Sequence, residues 1–170
     1  MSRNGESGGG RPGVVLEARG LTKIFGGVRA VDAVDLTVKR GEAVGIVGPN
    51  GAGKTTLFNL LAGSLSPTRG SAFLNEREVT GWSPDKRCRA GLSRTFQVTL
   101  PFAEMPVLEN VMIGALACGL GLSAAAEEAE RCLELVGLGA MRNRLASNLS
   151  TGQRKRLELA RVLATTPDVV

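Results

Sequence analysis

The run Gly48, Pro49, Asn50, Gly51, Ala52, Gly53, Lys54, Thr55 and Thr56 fits the spacing GxxxxGK[ST]. Glycines without a Cβ let successive backbone N–H groups converge on one point, and the N-terminus of a following helix adds partial positive charge there. Such an arrangement holds an anion. In a nucleoside triphosphate, Lys54 would bridge the β- and γ-phosphates and the Thr55 hydroxyl would ligate Mg²⁺. An ordinary strand-to-helix turn is the plain alternative. A dinucleotide-binding GxGxxG reading fails, because Ala43 stands two positions before Gly45, where the first glycine should be.

A second constellation is Ser150, Thr151, Gly152 and Gln153, preceded by Leu149 and followed by a stretch carrying Arg154, Lys155, Arg156 and Arg161. Ser150 with Gln153 three residues on is a capping box, which orders the first turn of any helix. A small hydroxyl and a glycine at a helix N-terminus, flanked by cations, also make an anion site. After a phosphate-binding loop, the second reading makes this turn the other half of a nucleotide clamp.

Composition narrows the chemistry further. There is no histidine, so common zinc sites, Ser-His-Asp triads and histidine proton shuttles are excluded. Cys88, Cys118 and Cys132 are odd in number, widely spaced and without CxxC, which suits a reducing compartment and buried or neutral thiols. Aromatic residues are only 4% of the 170, so a base-stacking single-strand binder is poorly supported. Twenty-one basic against 16 acidic side chains leave +5, a moderate bias toward anionic partners.

These residues need elements to position them. Apolar and polar residues alternate over 14–18 and 34–38, with turns at Gly26, Gly27, Arg40 and Gly41, which predicts an antiparallel sheet. Residues 43–47 are continuously apolar, as in a strand covered on both faces, and feed the glycine loop. A helix follows to about Ala62 and stops at Gly63. Residues 71–74 and 93–96 read as strands. Residues 84–90, 108–117, 124–136 and 150–164 read as helices, with Glu127, Glu128, Glu130 and Glu134 on the exposed side of the third. The uncharged stretch 111–126, interrupted by Gly114, Gly119 and Gly121, falls short of the ~20 residues that span a bilayer. Residues 1–13 have no apolar segment and read as a disordered tail; 14–170 form one α/β domain with a helical part.

Taken together, these motifs resemble the nucleotide-binding domain of ATP-binding cassette (ABC) proteins. GPNGAGKTT is similar to that family's Walker A, LSTGQ to its signature, and Gln97 within SRTFQ to its Q-loop glutamine. IFGGVRAVDAV, SRTFQ and RLELAR are similar to the ATPase subunits of branched-chain amino acid importers. The resemblance implies a P-loop NTPase fold: an N-terminal antiparallel β subdomain, a RecA-like core and a helical subdomain. It implies ATP held in a head-to-tail dimer, with Ser150, Thr151, Gly152 and Gln153 acting in trans on the nucleotide at the partner's Walker A. Gln97 would contact Mg²⁺ and the attacking water, and Phe25 matches an adenine-stacking aromatic or is a core residue. Thr151 departs from the usual LSGGQ.

The same resemblance implies membrane permease subunits and an upstream solute-binding protein as partners, no nucleic acid, and a cytoplasmic location on the inner face of the membrane. A cassette also needs an apolar strand ending in Asp-Glu. Residues 167–170 read as the opening of such a strand, so the C-terminal part of the core is expected to be missing and Asp168 is not its metal-orienting aspartate. The chain is expected to be catalytically inactive by itself. Two further readings are a soluble cassette acting on ribosomes or DNA through Arg154–Arg156 and a non-catalytic nucleotide-binding fragment.

Overall fold

Two glycines in succession set the first hairpin. Gly26 (φ 50°) and Gly27 (φ 92°) both take the left-handed conformation that a tight two-residue turn demands, and they join β1 (Val14–Phe25) to β2 (Val28–Lys39). The strands pair antiparallel from Val14↔Lys39 to Phe25↔Val28. On the other side of β1 lies β3 (Arg69–Leu74), with Leu16 opposite Leu74, followed by the short β4 (Arg77–Glu78). The sheet order is β2-β1-β3-β4. Both predicted strands of the opening sheet are thus parts of longer ones.

The computed structural model describes residues 13–95 and 101–170. These described residues fall into two units, one up to Trp82 and one from Ser83 onward. Residues 1–12 of the segment 1–13 read as a disordered tail, and Gln97, lie outside the described residues.

In the first unit, α1 (Lys54–Leu61) packs Leu57, Leu60 and Leu61 toward the sheet, whose buried side includes Val15, Leu16, Leu21, Val31 and Leu74. Each buried leucine contributes about 1.5–3 kcal/mol, enough to hold a two-turn helix that could not persist alone. Helix α1 ends at Ala62, with Gly63 (φ 80°) just beyond, as predicted.

One expected element is corrected. Residues 42–49 form no strand; Val44 is 42% exposed and Val47 is 95% exposed. A strand exists only where a neighbour completes its ladder, and none of the described strands pairs with this segment. The phosphate-loop motif therefore enters from irregular, solvent-facing backbone.

The second unit is helical: α2 (Pro84–Arg89), α3 (Val107–Ala117), α4 (Leu122–Leu135) and α5 (Thr151–Leu163). Pro84 opens α2, where its missing N–H costs nothing. Val107, Val111, Ala115, Ala125, Ala129, Leu133, Leu138, Leu157 and Ala160 form one buried cluster between α3, α4 and α5. Small residues let α3 approach α5 closely; a Cβ on Gly114 would overlap the carbonyl oxygen of Arg161. The described residues 93–95 of the expected strand at 93–96 form no strand; the residue before them, Leu92, makes a single parallel bridge with Val169. Among the described residues, no helix is long and apolar enough to cross a membrane.

Candidate nucleotide-binding site

The loop between Gly48 and α1 is built from two left-handed glycines, Gly51 and Gly53, each at φ 84°. Gly53 is the N-cap of α1, and no side chain caps it. Only one amide of the loop is spent on the loop's own backbone: Ala52 N donates to Pro49 O at 3.3 Å. The amides of Gly51, Gly53, Lys54, Thr55 and Thr56 have no acceptor among the described residues. Unsatisfied N–H groups at a helix N-terminus are a ready donor set for an anion.

Lys54 supplies the charge. Its Nζ donates to Gly48 O at 2.6 Å and to Pro49 O at 2.7 Å, which folds the ammonium back over the mouth of the loop. Thr55 is exposed at the second position of α1 and Thr56 half-buried beside it. Gly48, Pro49, Asn50, Gly51 and Ala52 are all exposed. Amides, one ammonium and one hydroxyl thus share an open surface, a donor set that fits an oxygen-rich polyanion and offers nothing to a soft metal.

In the second unit, Ser150 caps α5 with a complete capping box: Gln153 N donates to Ser150 Oγ at 3.4 Å, and Ser150 N donates to Gln153 Oε1 at 2.8 Å. Both readings of the turn had rested on these residues, and the capping reading is realised. It leaves Thr151 and Gly152 exposed at the head of the helix. A Cβ on Gly152 would meet nothing within 4 Å. No neighbour in the chain itself forces glycine there.

The basic stretch of α5 works differently from the sequence reading. Arg154 Nε donates to Leu149 O and its Nη2 to Ser147 O, both at 3.0 Å, which braces the backbone leading into Ser150. Arg156 Nη1 reaches Val136 O at 3.2 Å and Gly137 O at 3.3 Å, so it caps the carbonyl end of α4. Arg161 lies over the Phe102 ring, 5.0 Å from its centre. Three of the four cations are committed to internal contacts, which weakens the reading of this helix as a phosphate track for DNA.

Phe25 ends β1 with 45% of its surface exposed, and Lys23 Nζ lies 5.2 Å from its ring centre. It is a surface aromatic, not a core residue. Asp168 packs its side chain against Gly91, and its N–H donates to Gly91 O at 2.8 Å. Among the described residues no three Cys, Asp or Glu side chains converge to hold a metal. Sequence reasoning missed Asn110. Fully buried, it accepts from Phe102 N at 2.9 Å and donates to Phe102 O, Met105 O and Pro106 O, stapling residues 102–106 to α3. A polar residue at a helical core position was the only available signal.

Comparison with known proteins agrees with this geometry. Residues 31–170 match the family model described as ABC transporter. The chain is 41% identical over 171 residues to the high-affinity branched-chain amino acid transport ATP-binding protein LivG of Salmonella typhimurium, covering 92% of this chain and 67% of that protein. It is 39% identical over 171 residues to BraF of Pseudomonas aeruginosa, which bears the same description, with the same coverage. Among solved structures it superposes with a TM-score of 0.80 on the ADP conformation of MJ1267, an ATP-binding cassette of an ABC transporter, at 34% identity, covering 91% of this chain and 66% of that one. The chain spans about two thirds of the length of these relatives. With the P-loop turn, the capped signature turn and the family match over the same residues, the chain belongs to the ABC transporter family.

Proposed function

We propose that this chain is the nucleotide-binding portion of an ATPase subunit that drives import of branched-chain amino acids. The observation that carries the reading is the set of amides of Gly51, Gly53, Lys54, Thr55 and Thr56, without acceptors among the described residues, beside the Lys54 ammonium. That set binds the phosphate tail of ATP. Thr55, with Gln97, holds the Mg²⁺ that neutralises the tail, and Phe25 stacks on the adenine. Two cassettes pair head to tail, so that Ser150, Thr151, Gly152 and Gln153 of one touch the nucleotide held by the other; the open space around Gly152 supports such an approach. The relatives' descriptions support the solute class. The assembly includes permease subunits, receives solute from a binding protein, sits on the inner face of the membrane and needs no nucleic acid.

Hydrolysis of ATP to ADP and phosphate needs a carboxylate to polarise the attacking water. No apolar strand ending in Asp-Glu occurs in these 170 residues, so this chain alone binds nucleotide without turnover. The test is an ATP titration of the wild type and Lys54→Ala. Loss of a charge-assisted contact weakens binding about 10- to 150-fold. Equal affinities with equal thermal midpoints would refute the site.

A further inference from the structure

Among the described residues, Asn50 alone of the asparagines is followed by glycine. Asn59, Asn75, Asn110, Asn143 and Asn148 each precede a residue with a side chain, and Asn110 is fully buried with its carboxamide held by hydrogen bonds. Asn50 and Gly51 are both exposed. The Asn50 carboxamide has no hydrogen-bond partner among the described residues, and neither has the Gly51 N–H. A Cβ on Gly51 would meet nothing within 4 Å, so the approach to its nitrogen is open. Among the described residues, the one backbone hydrogen bond that spans the pair is Ala52 N to Pro49 O, long at 3.3 Å. A free carboxamide beside an unbonded backbone nitrogen, with no side chain in the way, is the setting in which asparagine closes on its own main chain.

We propose that Asn50 deamidates spontaneously, that the product shuts the phosphate loop, and that bound nucleotide protects the site; the protection and the shutting rest on the nucleotide reading of the loop. As base removes its proton, the Gly51 nitrogen attacks the side-chain carbonyl carbon of Asn50. The bond to the carboxamide nitrogen breaks, ammonia leaves with a proton, and a five-membered succinimide closes. Water then opens the ring. Addition at the side-chain carbonyl gives aspartate, and addition at the main-chain carbonyl gives isoaspartate, whose backbone runs through the side chain and is one methylene longer. One water enters and one ammonia departs, and a neutral amide becomes a carboxylate. That negative charge stands among the amides of Gly51, Gly53, Lys54, Thr55 and Thr56, where a phosphate would otherwise be held. A nucleotide in the loop engages the Gly51 N–H and covers Asn50, so the nitrogen is no longer free to attack.

The experiment incubates the purified 170-residue protein at mildly alkaline pH, with and without Mg²⁺-ATP, and maps peptides over time, after titration has measured ATP binding to the starting protein. Asn4, which also precedes glycine, is the internal clock. The Asn50 peptide gains about 1 Da and splits into aspartyl and isoaspartyl forms, while the peptides of the other described asparagines stay unchanged. ATP well above its Kd slows the change at Asn50 about 10-fold or more and leaves Asn4 unaffected. Asn50→Asp, which reproduces one product, binds ATP about 10-fold more weakly than the wild type. Wild-type protein that binds ATP yet keeps Asn50 intact while Asn4 converts overturns the modification and leaves the nucleotide site standing. Equal rates at Asn50 with and without ATP, despite measured binding, overturn the protection, and equal affinity of Asn50→Asp overturns the shutting of the loop. Absence of ATP binding in the titration overturns the nucleotide reading itself, and the protection and the shutting with it.

Discussion

A Cβ placed on Gly53 would overlap the carbonyl oxygen of Ala30, so the residue that opens α1 rests on the backbone of β2 with no room for a side chain. Gly53 also holds φ 84°, a conformation that other residues reach only under strain. The phosphate loop is therefore seated on the antiparallel sheet by backbone contact. This contact explains how an exposed loop keeps its shape next to a segment that has no ladder partner. Gly53→Ala must move either the loop or β2. The expected outcome is a loss of about 1–3 kcal/mol in chemical denaturation, with ATP affinity falling in the same variant. Unchanged denaturation would show that the seat is soft.

Ser150 and Gly152 sit two residues apart yet should respond in opposite senses. Ser150→Ala removes the side-chain acceptor of the capping box and costs about 1 kcal/mol in thermal or urea unfolding. Gly152→Ala puts a methyl into open space on a helix and is neutral or stabilising by about 0.5–1 kcal/mol. Under the proposed head-to-tail pairing, the same methyl blocks the partner's nucleotide. Sedimentation with ATP should then show less dimer for Gly152→Ala than for the wild type, despite its equal or greater stability.

Asn110 is the polar staple of the helical unit. Replacing it with Ala or Leu leaves the Phe102 amide and the carbonyls of Phe102 and Met105 without their side-chain partner. Loss of a buried multi-bond side chain costs about 2–4 kcal/mol. Hydrogen exchange gives the local readout: faster exchange at 102–110 is expected, with the first unit's sheet unaffected. Uniform exchange across both units would instead indicate global unfolding.

Glu128 gives the helical unit a modest pH dependence. The Arg131 hydrogen bond, at 2.6 Å, holds its carboxyl below the usual range against the opposing effect of burial. A carboxyl depressed in the folded state stabilises above its unfolded pKa, and that stability is lost as pH falls through the ordinary glutamate value of about 4.3 and below. With Arg131 more than half exposed, the pair is worth only about 0.3–0.5 kcal/mol. Glu128→Gln should therefore lower stability slightly at pH 7 and converge with the wild type at pH 3, read as urea midpoints at the two pH values.

Short-range patterns were sufficient for most of this chain. Gly26 and Gly27 announced the hairpin because few other residues tolerate both dihedrals, Gly63 marked the end of α1, and the Ser150–Gln153 spacing described its own cap. The glycine turn into α1 was equally legible, since its left-handed positions, Gly51 and Gly53, are set by consecutive residues. What could not be read were relations between distant residues. Residues 43–47 have the apolar content of a buried strand, but a strand's identity depends on the neighbour that takes its hydrogen bonds, and Val47 faces solvent instead. Arg154 and Arg156 looked like a cationic surface until their guanidinium groups met the carbonyls of Ser147, Leu149, Val136 and Gly137. Local sterics are written residue by residue, whereas a ladder partner or the destination of a long side chain is set only when remote segments pack together.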